Sequence, residues 1–518
     1  QAPAAGCLST AASLLQAKAD SNLRVAAGDS SLHLAIRAKL THLSLLIIHH
    51  GANLNTKGSC GRPPLHLAAA QGLTEVVECL MVCRADAAAL DGRGDTVLHS
   101  AAEKVSSGLV ETVLSLEPRL WTACNSAGLC AFEAAKQSNR TAAVHSLLLA
   151  VAKCGLTAEA GCSPLHLCAA LEDPGAAALA EQLLHLGLKA RNSRGDCCAE
   201  QWERLQLVNA VDAVGYTPMH SVRRADVCAV LASAGAEINN ETVDGRETPL
   251  LCAARAGRAH VVEQLLLLGA DSRRADQAGC TPLMASVQVA VAAGVEELEQ
   301  ESTSAQGAAN QRAAWSSSTV QLLLRHLTTG EPTSGVAERN AAAAAVNAAN
   351  DQGLTALHFA VTTPTPKKLV FGWMSHLEHR MRLVVQLLLD AGADALLQTK
   401  LGDTCLHLHS RKPLFAVLQI LLEARQSAIH VTNGAGQTCL HVAVRHAWLP
   451  KPEQHMLSIS FDDVDWALVI ETLLRSGANV AVQDCNGKTP LEYLSAQDQQ
   501  LVRLQDLVAR CKQTGPIP

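Results

Sequence analysis

The feature that most constrains this chain is a Leu-His pair that returns at a fixed interval. His33, His66 and His99 are spaced 33 residues apart, and His166 falls in the same register after Glu133 takes the place of one His. In later copies this position is again a histidine or is replaced by Leu, Met or Glu. These residues are His220, Leu251, Met284, His358, His407, His441 and Glu492. A period of this length predicts a row of small structural units, each burying its apolar face against its neighbours.

Each copy divides into two segments with helical features. The first opens with Thr-Pro in several copies, as at Thr248 and Pro249, and Pro is tolerated in the first turn of a helix. The second is apolar at helical spacing, as in residues 261–268. Many copies then end in Gly-Ala, where glycine accepts the left-handed conformation that ends a helix. These glycines are Gly51, Gly235, Gly269, Gly392 and Gly477.

Composition favours closely packed helices and argues against two classes of partner. Hydrophobic residues make up 48% of the 518 residues and aromatic residues only 3%, whereas strands favour aromatic and β-branched residues. The formal net charge of −6 supplies no overall basic stripe, so we expect no nucleic-acid partner. No uncharged apolar run reaches the roughly 18 residues that a spanning helix needs, so we expect no membrane insertion.

The cysteines and the first residues of the sequence indicate in which cellular compartment the protein is expected. The 18 cysteines are scattered and include no Cys-x-x-Cys pair, whereas zinc sites need ligands paired at short spacing. We therefore expect the cysteines to act as small buried hydrophobic residues and the protein to lie in the reducing cytoplasm. A nuclear location is the open alternative. Residues 1–20 lack the features of a signal peptide. The absence of an initiator Met fits either processing or origin from a longer protein.

The motif Thr-Pro-Leu-His-x-Ala at a period of 33, followed by a Leu-rich helix and Gly-Ala, resembles the ankyrin repeat family. The resemblance covers about twelve copies over residues 26–510. It implies an all-α repeat solenoid, in which stacked helix-turn-helix repeats carry β-hairpin-like loops. It also implies that the motif histidines bridge neighbouring loop backbones. Those structural histidines are His33, His66, His99, His166, His220, His358, His407 and His441.

The repeat register predicts a division of the chain into successive segments. These are a leader or cap at 1–25, about five repeats at 26–190, an interruption at 191–210, repeats with insertions at 211–487, and a capping repeat with a tail at 488–518. The interruption serves either as a hinge or as a capping helix. The copy around Phe132 lacks both Thr-Pro and Gly-Ala, so we expect it to be loosely packed.

Insertions distinguish this chain from a regular array. They lie at about 288–318, 330–349, 362–381 and 447–465, and the first of them has a composition typical of disorder. Two of them carry aromatic and Met side chains, which are enriched at binding hot spots. These are Phe371, Trp373, Met374, Trp448, Met456 and Phe461. The alternative is that these loops fold back over their own outer helices.

Basic residues recur where the resemblance places the groove and the hairpin tips. The candidates for partner binding are Arg62, Arg93, Lys104, Arg223, Arg224, Arg246 and Arg255. They predict a locally positive groove that prefers acidic segments of partner proteins, although the chain as a whole is acidic. The alternative is an ordinary solvated surface.

No pattern in the sequence points to catalysis, a cofactor or a metal. We find no Gly-rich phosphate loop and no Gly-x-Ser-x-Gly. Histidines about 10 Å apart along a stack are too distant to share one ion. We therefore expect a non-enzymatic, monomeric scaffold or adaptor that binds other proteins.

Two alternatives remain open on the sequence. One is a substrate-recruiting or regulatory ankyrin region of a larger enzyme or of a ubiquitin-ligase complex. In the other, the array is itself a substrate, because Asn55 and Asn239 occupy the hairpin position that is hydroxylated in some ankyrin proteins.

Overall fold

The computed structural model consists of helices grouped into two compact units, Gln1–Glu237 and Ile238–Pro518. The structure describes residues 10, 13–14, 16–17, 19–25, 28–103, 107–156, 161–189, 207–299, 318–328, 342–362, 373–411, 414–448, 466–493, 505–506 and 508–510. Within these residues the only β-type pairings are the isolated antiparallel bridges Arg24–Ser30 and Cys124–Cys130. The expected all-α repeat fold is thus confirmed, and each unit is described below by itself.

The first unit stacks pairs of antiparallel helices. Its pairs are α1 (Ser31–Arg37) with α2 (Thr41–His49), α3 (Pro64–Gln71) with α4 (Thr74–Val82), α5 (Val97–Ala102) with α6 (Ser107–Leu116), α7 (Ala131–Gln137) with α8 (Thr141–Lys153), and α9 (Pro164–Ala169) with α10 (Ala176–Lys189). A short 3-10 turn, Pro218–Ser221, precedes α11 (Ala225–Ser233) and replaces the first helix of that copy. First helices contact first helices of the next repeat, and second helices contact second helices.

The second unit repeats this plan and includes two helices of 18 residues. It contains α12 (Pro249–Arg255), α13 (Ala259–Leu267), α14 (Pro282–Glu299), α15 (Ala356–Val361), α16 (Trp373–Asp390), α17 (Cys405–His409), α18 (Phe415–Ala424), α19 (Cys439–Trp448) and α20 (Trp466–Arg475). Residues 318–328 and 342–346 are also helical. The first helices α14, α15, α17 and α19 pack in chain order, and the second helices α16, α18 and α20 do the same.

Apolar positions of the motif build the core of both units. The Leu that precedes the motif His is buried in copy after copy, as at Leu65, Leu98 and Leu406, each about 1% exposed or less. Second helices add Val76, Val77 and Leu80, which are fully buried on α4. Because these side chains are buried and the helices that carry them pack against helices of neighbouring repeats, the stack is held by nearest-neighbour burial.

Several expected insertions are shorter than the sequence predicted. Disorder is wrong for residues 288–299, because α14 continues to Glu299 and buries Ala290 and Val291. The insertion predicted at 362–381 overlaps α16, which begins at Trp373. At the ends of the segments 191–210 and 330–349, Val208 and Val346 are buried, so these residues already belong to repeats. The remainder of the four insertions lies outside the described residues.

The copy around Phe132 is ordered, contrary to the expectation of loose packing. Phe132 is 7% exposed and packs edge-to-face against Trp121, with ring centroids 6.1 Å apart. Cys130 and Glu133 form a reciprocal capping box at the start of α7. A thiol and a carboxylate therefore cap this helix in place of the missing Thr-Pro.

Hairpin-like loops follow one another closely enough to bond through their backbones. In the second unit the Lys400 amide donates to the Gln352 carbonyl at 3.0 Å, and the Gly434 amide donates to the Leu401 carbonyl at 2.9 Å. Gly402 permits this approach, since a Cβ there would lie 2.4 Å from the backbone nitrogen of Gly434. The loop stack thus requires glycine for space as well as for its positive φ.

We predict that Gly402→Ala destabilises the protein by about 3 kcal/mol or more, from left-handed strain plus the clash with the next loop. Gly392→Ala is the matched control, because Gly392 also has a positive φ, of 90°, but has open space around its Cβ position. The control should lose only about 1 kcal/mol. Urea unfolding followed by circular dichroism measures both, and equal losses would contradict the clash.

Arg84 occupies the place of the glycine in Gly-Ala, before Ala85, and has a φ of 63° in an exposed position. We predict that Arg84→Gly raises the free energy of unfolding by about 0.5–1 kcal/mol, because glycine adopts this conformation without strain. Arg84→Ala removes the same side chain but keeps the strain, so it should give no gain. A gain of equal size in both variants would show that the Arg side chain, and not its backbone, is unfavourable.

Candidate functional site

The motif histidines join each repeat to the next through their two ring nitrogens. At His33, Nδ1 lies 2.8 Å from the Ser30 hydroxyl and accepts the Ser30 amide at 3.3 Å, while Nε2 lies 3.1 Å from the Arg62 carbonyl oxygen. An amide can only donate, so Nδ1 is the acceptor and the proton is on Nε2. The neutral ring therefore donates to the loop of the following repeat.

The same histidine bridge recurs through both units. The hydroxyl-to-Nδ1 distance is 2.7–2.9 Å at the caps Thr96, Ser163, Thr217, Thr355, Thr404 and Thr438. Nε2 reaches a carbonyl of the next loop at 2.9–3.2 Å from His66, His99, His166, His407 and His441. These rings occupy the bridging position that the resemblance implies.

Burial sets the protonation of these rings. Removal from water lowers the pKa of His33, and it does the same for His66, His99, His166, His358, His407 and His441. The carbonyl bonds and neighbouring carboxylates oppose the shift but do not cancel it. The bridging histidines therefore favour the neutral form that their bonding pattern requires.

His409 is a buried histidine that the sequence pattern did not single out. It lies two residues beyond the motif His of α17, with its ring nitrogens 3.4 Å from the Val361 carbonyl oxygen and 3.0 Å from that of Leu414. Burial lowers its pKa as well. A polar residue on an apolar helix face was the only available signal, and it identifies no partner.

Most of the predicted basic residues are already paired with carboxylates of the chain. Arg62 lies 3.2 Å from Asp91, Arg223 lies 2.6 Å from Glu172, Arg224 lies 2.8 Å from Asp226 and Arg246 lies 3.1 Å from Glu241. Arg255 contacts both Glu247 and Asp276. Lys104 lies outside the described residues. The groove is therefore less positive than its arginine positions predicted.

The ion pairs lower the pKa values of their carboxyl groups, as expected. Burial acts to raise the pKa of Asp91, but the amides of Asp95 and Arg93 and the Arg62 guanidinium hold it below its ordinary value. The pKa of Asp226 is lowered first by its hydrogen bond from Arg224. Such carboxylates remain charged and stay with their own arginines.

Arg93 differs from the other predicted residues. It is exposed, and no carboxylate of the described residues lies within ion-pair distance of its side chain. It borders a cleft of about 300 Å³ that is also lined by Asn125, Gln137 and Arg140.

A second cleft, of about 480 Å³, continues from Arg140. It is lined by Lys136, Thr141, His145 and Arg223 among others. Lys136 is exposed and likewise has no ion-pair partner among the described residues. Arg140 itself lies 3.6 Å from Glu103, with both side chains partly exposed, so this pair is weak and exchangeable. We call these two clefts, whose linings share Arg140, the α7 groove.

A cleft of the second unit has a more acidic lining than the α7 groove. It measures about 670 Å³ and lies at the ends of α16 and α18, where Asp390, Asp394 and Glu423 face a single cation, Arg425. Helix C-termini add partial negative charge. The two surfaces therefore differ in the charge that they present.

The remaining candidates have mixed outcomes. Trp373 and Met374 begin α16, and Trp448 ends α19, but their side chains are outside the described part, as are Phe371, Met456 and Phe461 altogether. The side-chain oxygens of Asn55 and Asn239 each accept an amide of the next repeat at 2.9 Å, from Asp86 and Asp271. Both asparagines thus act as bridges between hairpins.

The cysteines that the structure describes are free thiols. Burial raises the pKa of Cys168, Cys228, Cys405 and Cys439 to about 12. These four behave as small core hydrophobes, since a thiol with such a pKa is a poor nucleophile at neutral pH. Among the described helices, none combines the length and apolarity needed to cross a membrane.

We predict that stability falls as the pH drops below about 6.5, the ordinary histidine pKa. The folded-state pKa values are lowered, so the unfolded chain binds more protons in this range and the stabilisation present at neutral pH is lost. Urea midpoints at about pH 7.5 and 5.5 measure this loss. His407→Gln should reduce the difference, whereas His49→Gln at an exposed position should not. An unchanged midpoint in the wild-type protein would contradict the histidine bridges.

The comparison with protein families agrees with the geometry in both units. A family model described as Ankyrin repeats (3 copies) matches residues 32–124, and a model described as Ankyrin repeat matches residues 246–277. The first match spans the bridging histidines His33, His66 and His99, and the second spans α12 and α13. Ankyrin repeats form protein–protein interaction modules, and this chain belongs to the ankyrin-repeat family.

Proposed function

We propose that this chain is a non-catalytic scaffold or adaptor of about twelve ankyrin repeats that binds other proteins as a monomer. The cytoplasm, with access to the nucleus, is the proposed location, which the free thiols support. The absence of catalysis is supported by the use of the motif histidines as neutral bridges and by the raised pKa of the buried thiols.

The single observation that carries this proposal is the α7 groove. Its side chains at Arg93 and Lys136 are exposed and hold no part of the stack together. Groups that bond within the fold, such as Arg62 and Arg255, cannot meet a partner without first losing an internal carboxylate. Free cations along a polar cleft can bind at no such cost.

The groove favours acidic segments of partner proteins. Arg93, Lys136 and Arg140 present three cations along the two clefts. Carboxylates line the clefts as well. Asp95 accepts a 3.0 Å hydrogen bond from the Asn125 side chain and keeps its charge, and three further acids lie within ion-pair distance of other lining residues, namely Glu103 with Arg140, Glu172 with Arg223 and Asp173 with His145. Arg93 and Lys136 are the lining cations that have no ion-pair partner among the described carboxylates. Of the seven predicted basic residues, this proposal keeps Arg93, and it adds Lys136 and Arg140.

The alternative function is substrate recruitment for a larger enzyme or a ubiquitin-ligase complex. The same groove would then hold the substrate, and the reaction would be carried out by another domain or subunit. The two functions differ in what co-purifies with the chain. A scaffold brings down proteins that also bind each other, whereas a recruiting region brings down a catalytic or ligase subunit whose association does not depend on the groove.

We predict that the double variant Arg93→Glu, Lys136→Glu loses its groove-dependent partners by about tenfold, because reversal of two charges removes attraction and adds repulsion. Affinity purification of the full chain with quantitative mass spectrometry measures the loss. The control is Arg24→Glu, Arg119→Glu, two exposed arginines outside the groove with the same net charge change.

Both variants should unfold at the same urea concentration as the wild-type chain. If both lose the same partners, general charge explains the binding. If neither loses any, the α7 groove is not the recognition surface. A ligase or other catalytic subunit that is retained in the groove variant would favour the recruiting function.

A further inference from the structure

Two cysteines face each other across the base of one hairpin-like loop. Cys124 and Cys130 form an isolated antiparallel bridge, in the same register as Arg24 and Ser30 in the first repeat. The Asn125 amide donates to the Leu129 carbonyl at 2.8 Å just inside this pair. Cys124 and Cys130 are therefore the adjacent non-hydrogen-bonded pair, the closer of the two kinds of antiparallel pair.

Cys130 also departs from the repeat pattern. Its position caps the first helix, where most other repeats place Ser or Thr, as at Ser30, Thr96 and Thr217. Sulfur is a weaker hydrogen-bond acceptor than a hydroxyl oxygen, so capping alone does not favour Cys at this place. The opposite position, Cys124, is Arg24 in the first repeat. One loop thus differs at both members of the pair.

The backbone spacing suits a disulfide. Opposed residues of a non-hydrogen-bonded pair have Cα atoms about 4.5 Å apart, within the roughly 4.4–6.8 Å that disulfides span. Cys79 and Cys83 provide a contrast, because Cys79 lies on α4 and Cys83 is its C-cap, four residues along. Residues at that helical spacing hold their Cβ atoms about 5–6 Å apart, beyond the roughly 3.5–4.5 Å of a disulfide.

Access differs between the two thiols of the loop. Cys124 is exposed, whereas Cys130 is half-buried and burial raises the pKa of its thiol. The exposed sulfur is the one that a dissolved oxidant reaches first, and the inner sulfur is placed to resolve the product.

We propose that Cys124 and Cys130 form a reversible disulfide when a peroxide is present, so that this hairpin is a redox-modification site of the array. The Cys124 thiolate attacks one oxygen of hydrogen peroxide, the O–O bond breaks, and a sulfenic acid and hydroxide form. The Cys130 thiolate then attacks the Cys124 sulfur, the S–O bond breaks, and a second hydroxide leaves. Two thiols and one peroxide become one disulfide and two waters.

The position of the loop gives this bond a consequence for the neighbouring repeat. The Ser126 amide donates to the Gly94 carbonyl at 2.9 Å, and His99 reaches the Leu129 carbonyl at 3.1 Å. Asn125 and Leu129 also line the α7 groove. Closing the base of the hairpin therefore stiffens one wall of the groove and the bonds that join it to the loop before it.

Mass spectrometry of the full-length chain tests the modification directly. Digestion after Lys and Arg, except before Pro, places both cysteines in one peptide, Leu120–Lys136, and places Cys60, Cys79 and Cys83 in another, Gly58–Arg84. After treatment with hydrogen peroxide and alkylation, the first peptide should be lighter by two hydrogens and carry no alkyl group. Dithiothreitol should restore two alkylation sites. The second peptide should remain alkylated at the same peroxide dose.

Two variants separate the disulfide from unspecific oxidation. Cys130→Thr restores the cap residue used by other repeats, and Cys124→Ser leaves the cap untouched. In the wild-type chain, oxidation should slow amide hydrogen exchange in Leu120–Lys136 by about tenfold, and neither variant should respond. The proposal fails if the wild-type peptide stays alkylated, if its sulfurs gain oxygen separately without joining, or if Gly58–Arg84 oxidises first.

Discussion

The structure depends on a neutral imidazole that, in most repeats with a motif histidine, donates from the first helix to the loop of the next repeat. One side of the ring accepts from the helix cap, and the other side donates across the repeat boundary, so a single side chain fixes a helix start and a repeat-to-repeat spacing together. Because the ring is buried, its bond to the carbonyl is made in a medium of low dielectric and is stronger than an exposed bond. The same burial explains why these histidines are structural and not free to act on a ligand.

The loops add a second constraint, which is one of space. Successive hairpins approach until backbone meets backbone, and glycine occupies the closest points, such as Gly94 against Ser126 and Gly279 against Asn350. Spacing set by the histidines brings the loops together, and glycine lets them bond without a clash. The result is a surface whose tips are held in register while their side chains remain available to a partner, which is the property that a binding array needs.

Charge divides this surface into parts that hold the fold and parts that are free. Arginines at Arg62, Arg224 and Arg255 each meet a carboxylate of the same chain, so the sequence-level count of basic residues overstated the positive potential. Arg93 and Lys136 escape this pairing and border the α7 groove. The cleft at the ends of α16 and α18 has a net negative lining. One chain can therefore present surfaces of different preference on its separate units.

The sequence by itself determined the repeat, the helix pairs and the histidine positions, because a 33-residue period repeats the same local signals of cap, apolar face and glycine stop. It could not give the true length of α14, since Ala- and Glu-rich residues suit a helix or a solvated linker equally and only packing decides between them. Nor did it place the start of α16 at Trp373. It could not separate Arg93 from Arg62 either, because Asp91 lies 29 residues from Arg62 and meets it only across a repeat boundary. Short-range sequence patterns determine the local structure. The charge that a partner meets depends instead on which side chains the stacked repeats bring into contact.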